Sequence, residues 1–334
     1  QAVLEGQASV SAPVDQAIRT LDEIARGVRT EREQRGALDL DIPEARVVLD
    51  DSGHPIDIIR RERLESHRLI EDFMVLGNEI VAGDMAAREI GTLYRVHEPP
   101  SSERADELRE LLGRIGHRLP NRKSLTPGDL QSLLRAVHGR HEAALVSNVV
   151  LRSLAKARYD SNNLGHFGLA SPAYLHFTSP IRRYPDLVVH REVVRTLIRG
   201  EPARSWDSGE LASVADATSI CEQTAAGAER SSVALKKVEF MERHLGDEFD
   251  GRIAGVAAFG FFVTLERYFV DGLVHVNSLR DDFYRLRQET YALVGDRGRR
   301  VYRLGDRVRV QVARVDKEAR HVDFLLIRTL PTAD

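Results

Sequence analysis

The chain carries two textures of apolar patterning. Up to about residue 243, apolar residues recur at three- and four-residue spacing among charged neighbours, the period of amphipathic helices. Ile18, Leu21, Ile24 and Val28 predict a helix from 13 to about 35, with Gly36 as its stop. Residues 37–59 break the period. VVL at 47–49 and IDII at 56–59 flank the turn Ser52-Gly53-His54-Pro55, which predicts a hairpin. A long helix over about 62–90 follows, its apolar face made of Leu64, Leu69, Ile70, Phe73, Met74, Ile80 and Val81. Ser102 is placed to cap a helix over 103–116. Thr126-Pro127-Gly128-Asp129 opens another, with a capping hydroxyl, a proline at the first helical position and an acid at the third. Residues 146–158 continue the helical pattern, and 160–179, rich in Gly, Asn, Ser and Pro, read as loop. Helices are expected over about 180–199, bent or restarted at Pro185, and over about 209–243.

From Gly246 the apolar residues alternate or cluster in short runs: GRIAGVAAFGFFVTL, DGLVHVNSL, DRVRVQVARVD and HVDFLLI. Turn residues separate these runs at the intervals of an all-β barrel, and a boundary is expected near 244–247. No repeat of fixed period accompanies either texture.

Composition narrows the classes. A length of 334 residues leaves room for two domains of about 150 residues each. With 42% hydrophobic and 30% charged residues, the chain belongs with globular rather than disordered sequences. No run of about 18 apolar residues occurs, so no membrane partner is expected. The single cysteine, Cys221, excludes an internal disulfide and a multi-cysteine zinc site; no disulfide partner and a reducing, cytoplasmic setting are expected. The opening QAVLEGQASVSAPVDQ starts at Gln1 and shows no cap or strand before Pro13-Val14, so further residues upstream are expected.

A net charge of −3 speaks against a chain coated with basic residues, but the average hides a local excess. Residues 151–200 hold eight Lys/Arg against three acids, Asp160, Asp186 and Glu192. Such a patch suits an anionic ligand held at one site; on charge alone, a helix with solvated arginines fits equally well.

Two stretches carry candidate chemistry. In the barrel region, Phe259-Gly260-Phe261-Phe262-Val263 puts aromatics on a strand, and His275 lies on a later one. Aromatics beside arginines suit single-stranded nucleic acid, whose bases stack while its phosphates are attracted. The competing reading makes these rings barrel core. Alternation sends one of the adjacent pair Phe261 and Phe262 outward in either case. In 165–191, Thr178-Ser179-Pro180 is a hydroxyl-bearing turn at a helix start, and Arg182 and Arg183 fall in the first turn of that helix. Free N–H groups, two hydroxyls and two guanidinium forks make a candidate phosphate cradle. His166, His176 and His190 lack the spacing of a one-helix metal pair and read as structural or RNA-contacting, so no metal ligand is assigned.

These residues also carry family resemblances. Residues 246–328 resemble the OB-fold RNA-binding domain repeated in the largest small-subunit ribosomal protein, here called S-one-type. HFGLASPAYLHFTSPIRRYPDLVVHR resembles the signature of the RNB family, hydrolytic 3′→5′ exoribonucleases of the ribonuclease II and ribonuclease R type. HRLIEDFMVLGNEIVA at 67–82, RGALDLDIPE at 35–44 and AERSSVALKKVEFM at 228–241 are similar to further pieces of the same catalytic domain, and YRLGDRVRVQVARVD favours the ribonuclease R branch. The resemblance implies an α+β chain. A mainly helical C-terminal portion of an RNB catalytic domain, 1–245, is followed by a five-stranded OB-fold barrel, 246–330.

It further implies degradation of single-stranded RNA to nucleoside 5′-monophosphates. Arg182 matches the arginine that grips the phosphate beside the scissile bond and stabilises developing charge. Glu229 matches a glutamate near the terminal nucleotide, and Glu71 an acid lining the RNA channel. Read as residues alone, Glu71 is equally an acid paired with a nearby arginine and Glu229 a solvated helix charge. Thr178, Ser179, Arg183 and Tyr184 are implied channel neighbours, and Phe259, Phe262 and His275 RNA contacts in the barrel. The family's chemistry implies Mg²⁺. Its aspartate cluster has no counterpart here; Asp39 with Asp41, Asp50-Asp51 and Asp281-Asp282 are the nearest patterns. The metal ligands are therefore expected outside this chain. Leu40 stands where some members have a clamping phenylalanine, and the lysine-rich tail and cold-shock-like domains are not matched. The alternative is a catalytically incomplete RNA-binding module.

Overall fold

The computed structural model describes residues 1–39, 44–122, 124–140, 143–207, 209–287, 292–297 and 300–331. They form two compact units. The first gathers residues 1–40, 62–136 and 150–224, and the second gathers 41–61, 137–149 and 225–334.

In the first unit, α1 (Ala12–Arg35) starts with proline in its first turn and ends on Gly36, whose left-handed φ of 98° lets the chain turn back. The Gly36 N–H donates to the Glu33 carbonyl at 3.1 Å and the Ala37 N–H to the Arg32 carbonyl at 3.0 Å, which satisfies two helix-end carbonyls. Next comes α2 (Glu65–Ala87), whose buried stripe is not the expected one. Leu69, Val75, Ala82 and Met85 are buried together with Asp72 and Asn78, whereas Ile70 and Ile80 are 56% and 61% exposed. Partners explain the difference: Asp72 accepts from Arg29 at 2.8 Å and Arg32 at 2.9 Å, and Asn78 donates to the Tyr174 hydroxyl at 3.0 Å. Charge and amide pairing rotate the helix away from the orientation that apolar area alone would choose.

Short elements complete this unit. Ser101, not Ser102, caps α3 (Ser102–Arg114) by accepting from the Arg104 N–H at 3.3 Å. At α4 (Pro127–Val137) the cap is reciprocal: the Asp129 carboxylate takes the Thr126 N–H at 2.9 Å, and the Thr126 hydroxyl takes the Asp129 N–H at 3.3 Å. The helix expected to run to 158 is α5 (Ala143–Ser153), of which only the residues from 150 on belong to this unit, and it stops early. Arg158–Asp160 instead forms strand β4, antiparallel to β3 (Tyr94–Val96). There Tyr159 is buried and its N–H donates to Ser219 Oγ at 2.9 Å, a tertiary bond that overrides local helical preference. Then follow α6 (Tyr184–Val193), a π-helical turn (Val194–Ile198) and the long α7 (Glu210–Glu242), whose residues from 225 on belong to the second unit.

In the second unit the expected hairpin is β1 (Ala45–Leu49) against β2 (Pro55–Arg60). Five strands close a barrel: β5 (Glu248–Ala257), β6 (Gly260–Leu265), β7 (Asp271–His275), β11 (Arg307–Asp316) and β12 (His321–Thr329), in the order β11-β12-β7-β6-β5 with β11 returning to β5. This is the expected five-stranded OB-type barrel in an α+β chain. A further sheet, β8 (Tyr284–Arg287), β9 (Ala292–Gly295) and β10 (Val301–Arg303), lies between β7 and β11 in sequence and was not anticipated. Its Tyr284 and Tyr302 join Phe261 in one aromatic cluster, with Tyr302 5.0 Å from Phe261 and 5.2 Å from Tyr284. Among the described residues, no helix is long and apolar enough to cross a membrane.

Gly260 fixes the approach of β6 to β7. Its φ is 153°, and a Cβ there would lie 2.2 Å from the Val274 carbonyl oxygen. Gly260→Ala is expected to lower the stability of the barrel by at least about 2 kcal/mol, read as a shift of its urea midpoint. An unchanged midpoint would show that the two strands are free to move apart.

Candidate functional site

The 165–186 segment is held by a short series of anchors. The His166 N–H donates to the Ser171 carbonyl at 2.8 Å, and Ala170 takes a left-handed φ of 49° to close that loop. The Leu38 N–H reaches the Gly168 carbonyl at 2.8 Å. Residues 174–177 run beside β3, with the Arg95 N–H on the Tyr174 carbonyl at 2.9 Å. Asn78 Oδ1 then takes the Phe177 N–H at 2.9 Å. The Phe177 ring stacks on His190 at 4.1 Å, and His190 Nε2 donates back to the Phe177 carbonyl at 2.8 Å.

Beyond Phe177 the chain makes a turn, not a helix. The N–H groups of Arg182 and Arg183 both meet the Ser179 carbonyl, at 3.3 and 3.1 Å, and α6 begins only at Tyr184. A helix running on from 180 would need the Pro185 nitrogen to donate to the Ile181 carbonyl. Proline has no such hydrogen, and its ring collides with that oxygen. Arg182 and Arg183 therefore precede the helix rather than occupy its first turn.

Asp186, the third residue of α6, organises this turn. It is fully buried, and its Oδ1 accepts from the Ser179 N–H at 2.7 Å and from Arg183 Nη2 at 2.8 Å. Arg183 is thereby committed to an internal ion pair. Arg182 is exposed and has no side-chain ion pair or hydrogen bond among the described residues. Ile181 and Tyr184 beside it are exposed, and Ser179 is half-buried. The buried atoms Thr178 Oγ1, Arg183 Nε and Asp186 Oδ2 have no hydrogen-bond partner among the described residues. The turn presents one unpaired guanidinium outward, backed by buried polar groups that fix its base.

Behind it runs a series of rings. His97 and His166 meet at 5.0 Å, His166 and Tyr174 at 5.2 Å, Tyr174 and His176 at 5.8 Å, and His176 and Tyr159 at 5.6 Å. His97 Nδ1 takes the Gly168 N–H at 3.0 Å, so its proton sits on Nε2 and donates to the Ala155 carbonyl at 2.9 Å. Burial pushes the imidazoles of His166 and His176 down to about 3, with neighbouring His97 and Arg95 adding to the first and Arg183 and Arg95 to the second. Arg95 lies 4.9 Å over the Tyr159 ring and pairs with Glu222. The histidines are thus neutral packing groups.

Glu71 lies on α2, exposed, and pairs with Arg63 at 3.2 Å; Arg63 also holds Asp39 at 2.7 Å. Burial alone would raise the Asp39 carboxyl, but the hydrogen bond and charge of Arg63, with Arg68 and Arg29, hold it below the ordinary range. These groups line a charged cleft with Arg32, Asp72 and Leu169. Leu40 and Asp41 lie outside the described residues. The other acidic patterns are engaged. Asp50 accepts the N–H groups of Ser52 and His54, Asp281 pairs with Arg300 at 2.8 Å, and Asp282 accepts the Arg297 N–H at 2.8 Å. Among the described residues, no group of three or more His, Cys, Asp or Glu is arranged to hold a metal ion. The described side chains do not fit a metal.

In the second unit, alternation along β6 sends Phe261, Val263 and Leu265 into the barrel and Phe262 outward. Phe259 and Phe262 are 49% and 37% exposed, with their rings edge-to-face at 6.0 Å. His275 is exposed and stands opposite Gly260 in register, on the same face as Phe262. Glu229 is exposed on α7, with no side-chain partner among the described residues. Sequence reasoning missed Asp186, Asn78 and Asp72. An acid at the third helical position after a proline was the available signal for Asp186. A polar residue inside an apolar stripe was the signal for the other two.

The family profile described as "RNB domain" matches residues 1–199, and that described as "S1 RNA binding domain" matches residues 243–326. A curated ribonuclease R from Aquifex aeolicus (strain VF5) is 41% identical over 314 residues, covering 94% of this chain and 44% of its own length. The solved apo form of Mycoplasma genitalium RNase R superposes with a TM-score of 0.91 at 27% identity, covering 98% of this chain and 52% of that one. The same enzyme in complex with ribose-methylated single-stranded RNA gives a TM-score of 0.90, with the same identity and coverage. The chain spans less than half the length of the curated relatives it matches.

The neutral histidines set an acid sensitivity. Unfolded imidazoles protonate near 6.5, whereas His166 and His176 in the fold resist down to about 3. The unfolded state gains protons first, so this stability is complete above 6.5 and is lost as pH falls toward 3. Asp39 and Glu65, held below 3.8 and 4.5, add losses only beneath those values. Urea midpoints followed through Trp206, the sole tryptophan, are expected to fall between pH 6.5 and 4.5, and to fall less steeply in His176→Phe. A flat profile across that window would show that these rings are solvated.

Proposed function

Because the chain belongs to the RNB-domain family, we propose that it acts in hydrolytic 3′→5′ degradation of single-stranded RNA to nucleoside 5′-monophosphates, as a ribonuclease R-type exoribonuclease. The observation that carries this reading is the division of labour between two adjacent arginines. Arg183 is tied to buried Asp186, while Arg182 stands free at the crest of the turn. A planar guanidinium fork fixed at its base suits a phosphodiester group. It would stabilise negative charge that grows on the phosphoryl oxygens as the ester bond breaks. Thr178, Ser179 and Tyr184 are proposed to flank the same strand. Arg183 holds the turn from behind, and Glu71 with Arg63 lines the cleft. Glu229 enters by family resemblance as a group near the terminal nucleotide.

The domain division is proposed at 245/246. In the barrel, Phe259, Phe262 and His275 are proposed to stack bases without regard to sequence, the property that indiscriminate degradation requires. Magnesium is the expected metal, supplying hydrolytic chemistry when bound by groups other than the described ones. A cytoplasmic setting accords with the lone, exposed Cys221. The second reading, RNA binding without cleavage, is favoured by one observation: the described residues contain no metal-holding cluster.

A 5′-labelled single-stranded oligoribonucleotide incubated with the chain and Mg²⁺ separates these readings. A ladder shortening from the 3′ end supports the exonuclease. Tight binding with unchanged length selects the binding module, and neither binding nor shortening overturns both. Where cleavage occurs, Arg182→Ala is expected to lower turnover at saturating RNA by about 100-fold or more, with affinity changed far less. Weakened affinity with full turnover would remove Arg182 from the transition state.

A further inference from the structure

The sheet formed by β8, β9 and β10 has two unlike faces. Leu286, Leu293 and Tyr302 share one register row and pack into the core of the second unit. The rows on the opposite face are Arg285–Val294–Val301 and Arg287–Ala292–Arg303. Phe283 continues the same face by the period of two along β8, tied in through the Asp296 N–H on its carbonyl at 2.9 Å. The residue is 70% exposed, more than Phe259 or Phe262, and the Arg297 guanidinium lies 5.9 Å from the centre of its ring.

The acids near this face are largely engaged. Asp296 pairs with Arg285 at 3.2 Å, Asp281 with Arg300 at 2.8 Å, and Asp282 takes the Arg297 N–H. Asp306 takes the Arg303 N–H at 2.7 Å. Arg287 and Arg303 are exposed and form no side-chain ion pair among the described residues. They stand two strands apart, roughly 10 Å between their backbones. A solvent-facing aromatic ring with Arg297 beside it, and the unpaired Arg287 and Arg303 two register rows along the same face, complements a flexible polyanion that carries flat bases.

We propose that this face is a second contact for single-stranded RNA, sharing no residue with the Phe259, Phe262 and His275 strip. One base stacks on Phe283 while neighbouring phosphates meet Arg287 and Arg303. The assignment rests on the reading that the chain engages RNA. It adds a binding surface that lengthens the stretch of strand held by the second unit. Stacking requires an unpaired base, so a duplex gains nothing from Phe283.

The test is anisotropy titration of a labelled oligouridylate with the full chain across a series of salt concentrations. Phe283→Ala is expected to weaken binding about tenfold for the single strand and not for a double-stranded oligoribonucleotide. The double variant Arg287→Ala/Arg303→Ala is expected to make the slope of log affinity against log salt shallower by about 1.4, two phosphate contacts at about 0.7 each. All three side chains are exposed, so thermal midpoints should be unchanged, which separates lost contact from lost fold. Wild-type affinity and slope in both variants, with Phe259→Ala/Phe262→Ala still weakening binding, would overturn the second contact alone. An equal loss for duplex would overturn the stacking role of Phe283. A parent chain that binds neither probe would overturn the functional reading and this inference together.

Discussion

One buried carboxylate decides how the signature turn is used. Asp186 is fully removed from water, and a charge in that position requires both hydrogen bonds and an opposite charge. It finds them in the Ser179 N–H and the Arg183 guanidinium, and both lie in the turn. The ion pair draws Arg183 down onto the start of α6, and Pro185 prevents the turn from winding into that helix. Arg182, one residue earlier, is left pointing away from the pair. Two residues that look interchangeable in sequence therefore take opposite roles, one anchoring and one presenting.

The same principle governs the rest of the first unit. Asp72 and Asn78 occupy positions on α2 that apolar residues would normally fill, and each repays its burial by joining another segment. The histidines behind the turn stay neutral because burial disfavours their charged form. Arg95 is balanced by Glu222, and Arg183 by Asp186. The positive charge presented by the turn is concentrated on Arg182 by elimination of its neighbours. In the second unit the governing constraint is the pleat, which sends Phe261 inward and Phe262 outward and produces a core and an exposed aromatic surface from one short run of aromatics.

Much of this was legible beforehand, and the legible parts share a cause. Helix α1, the hairpin over 45–60 and the barrel strands follow from periodicity and turn or cap residues, which depend on residues within one or two turns of each other. The failures also share a cause. Ile70 and Ile80 look like core by spacing and are exposed, because Asp72 and Asn78 have partners far along the chain. The strand over 158–160 exists because β3 and Ser219 are there to receive it. Strands β8 to β10 are not legible in the sequence because, at four, four and three residues, they are too short to establish a period of two.

The sequence by itself determined the helical first texture, the barrel, the position of the hydroxyl-and-arginine turn and the family to which these stretches belong. Tertiary structure alone decided which arginine is free, which acid is buried and which aromatic faces solvent on the sheet between β7 and β11. The physical reason is range. Periodicity and capping are properties of neighbours in the chain, whereas the state of a charged side chain depends on what folding brings within about 3 Å of it.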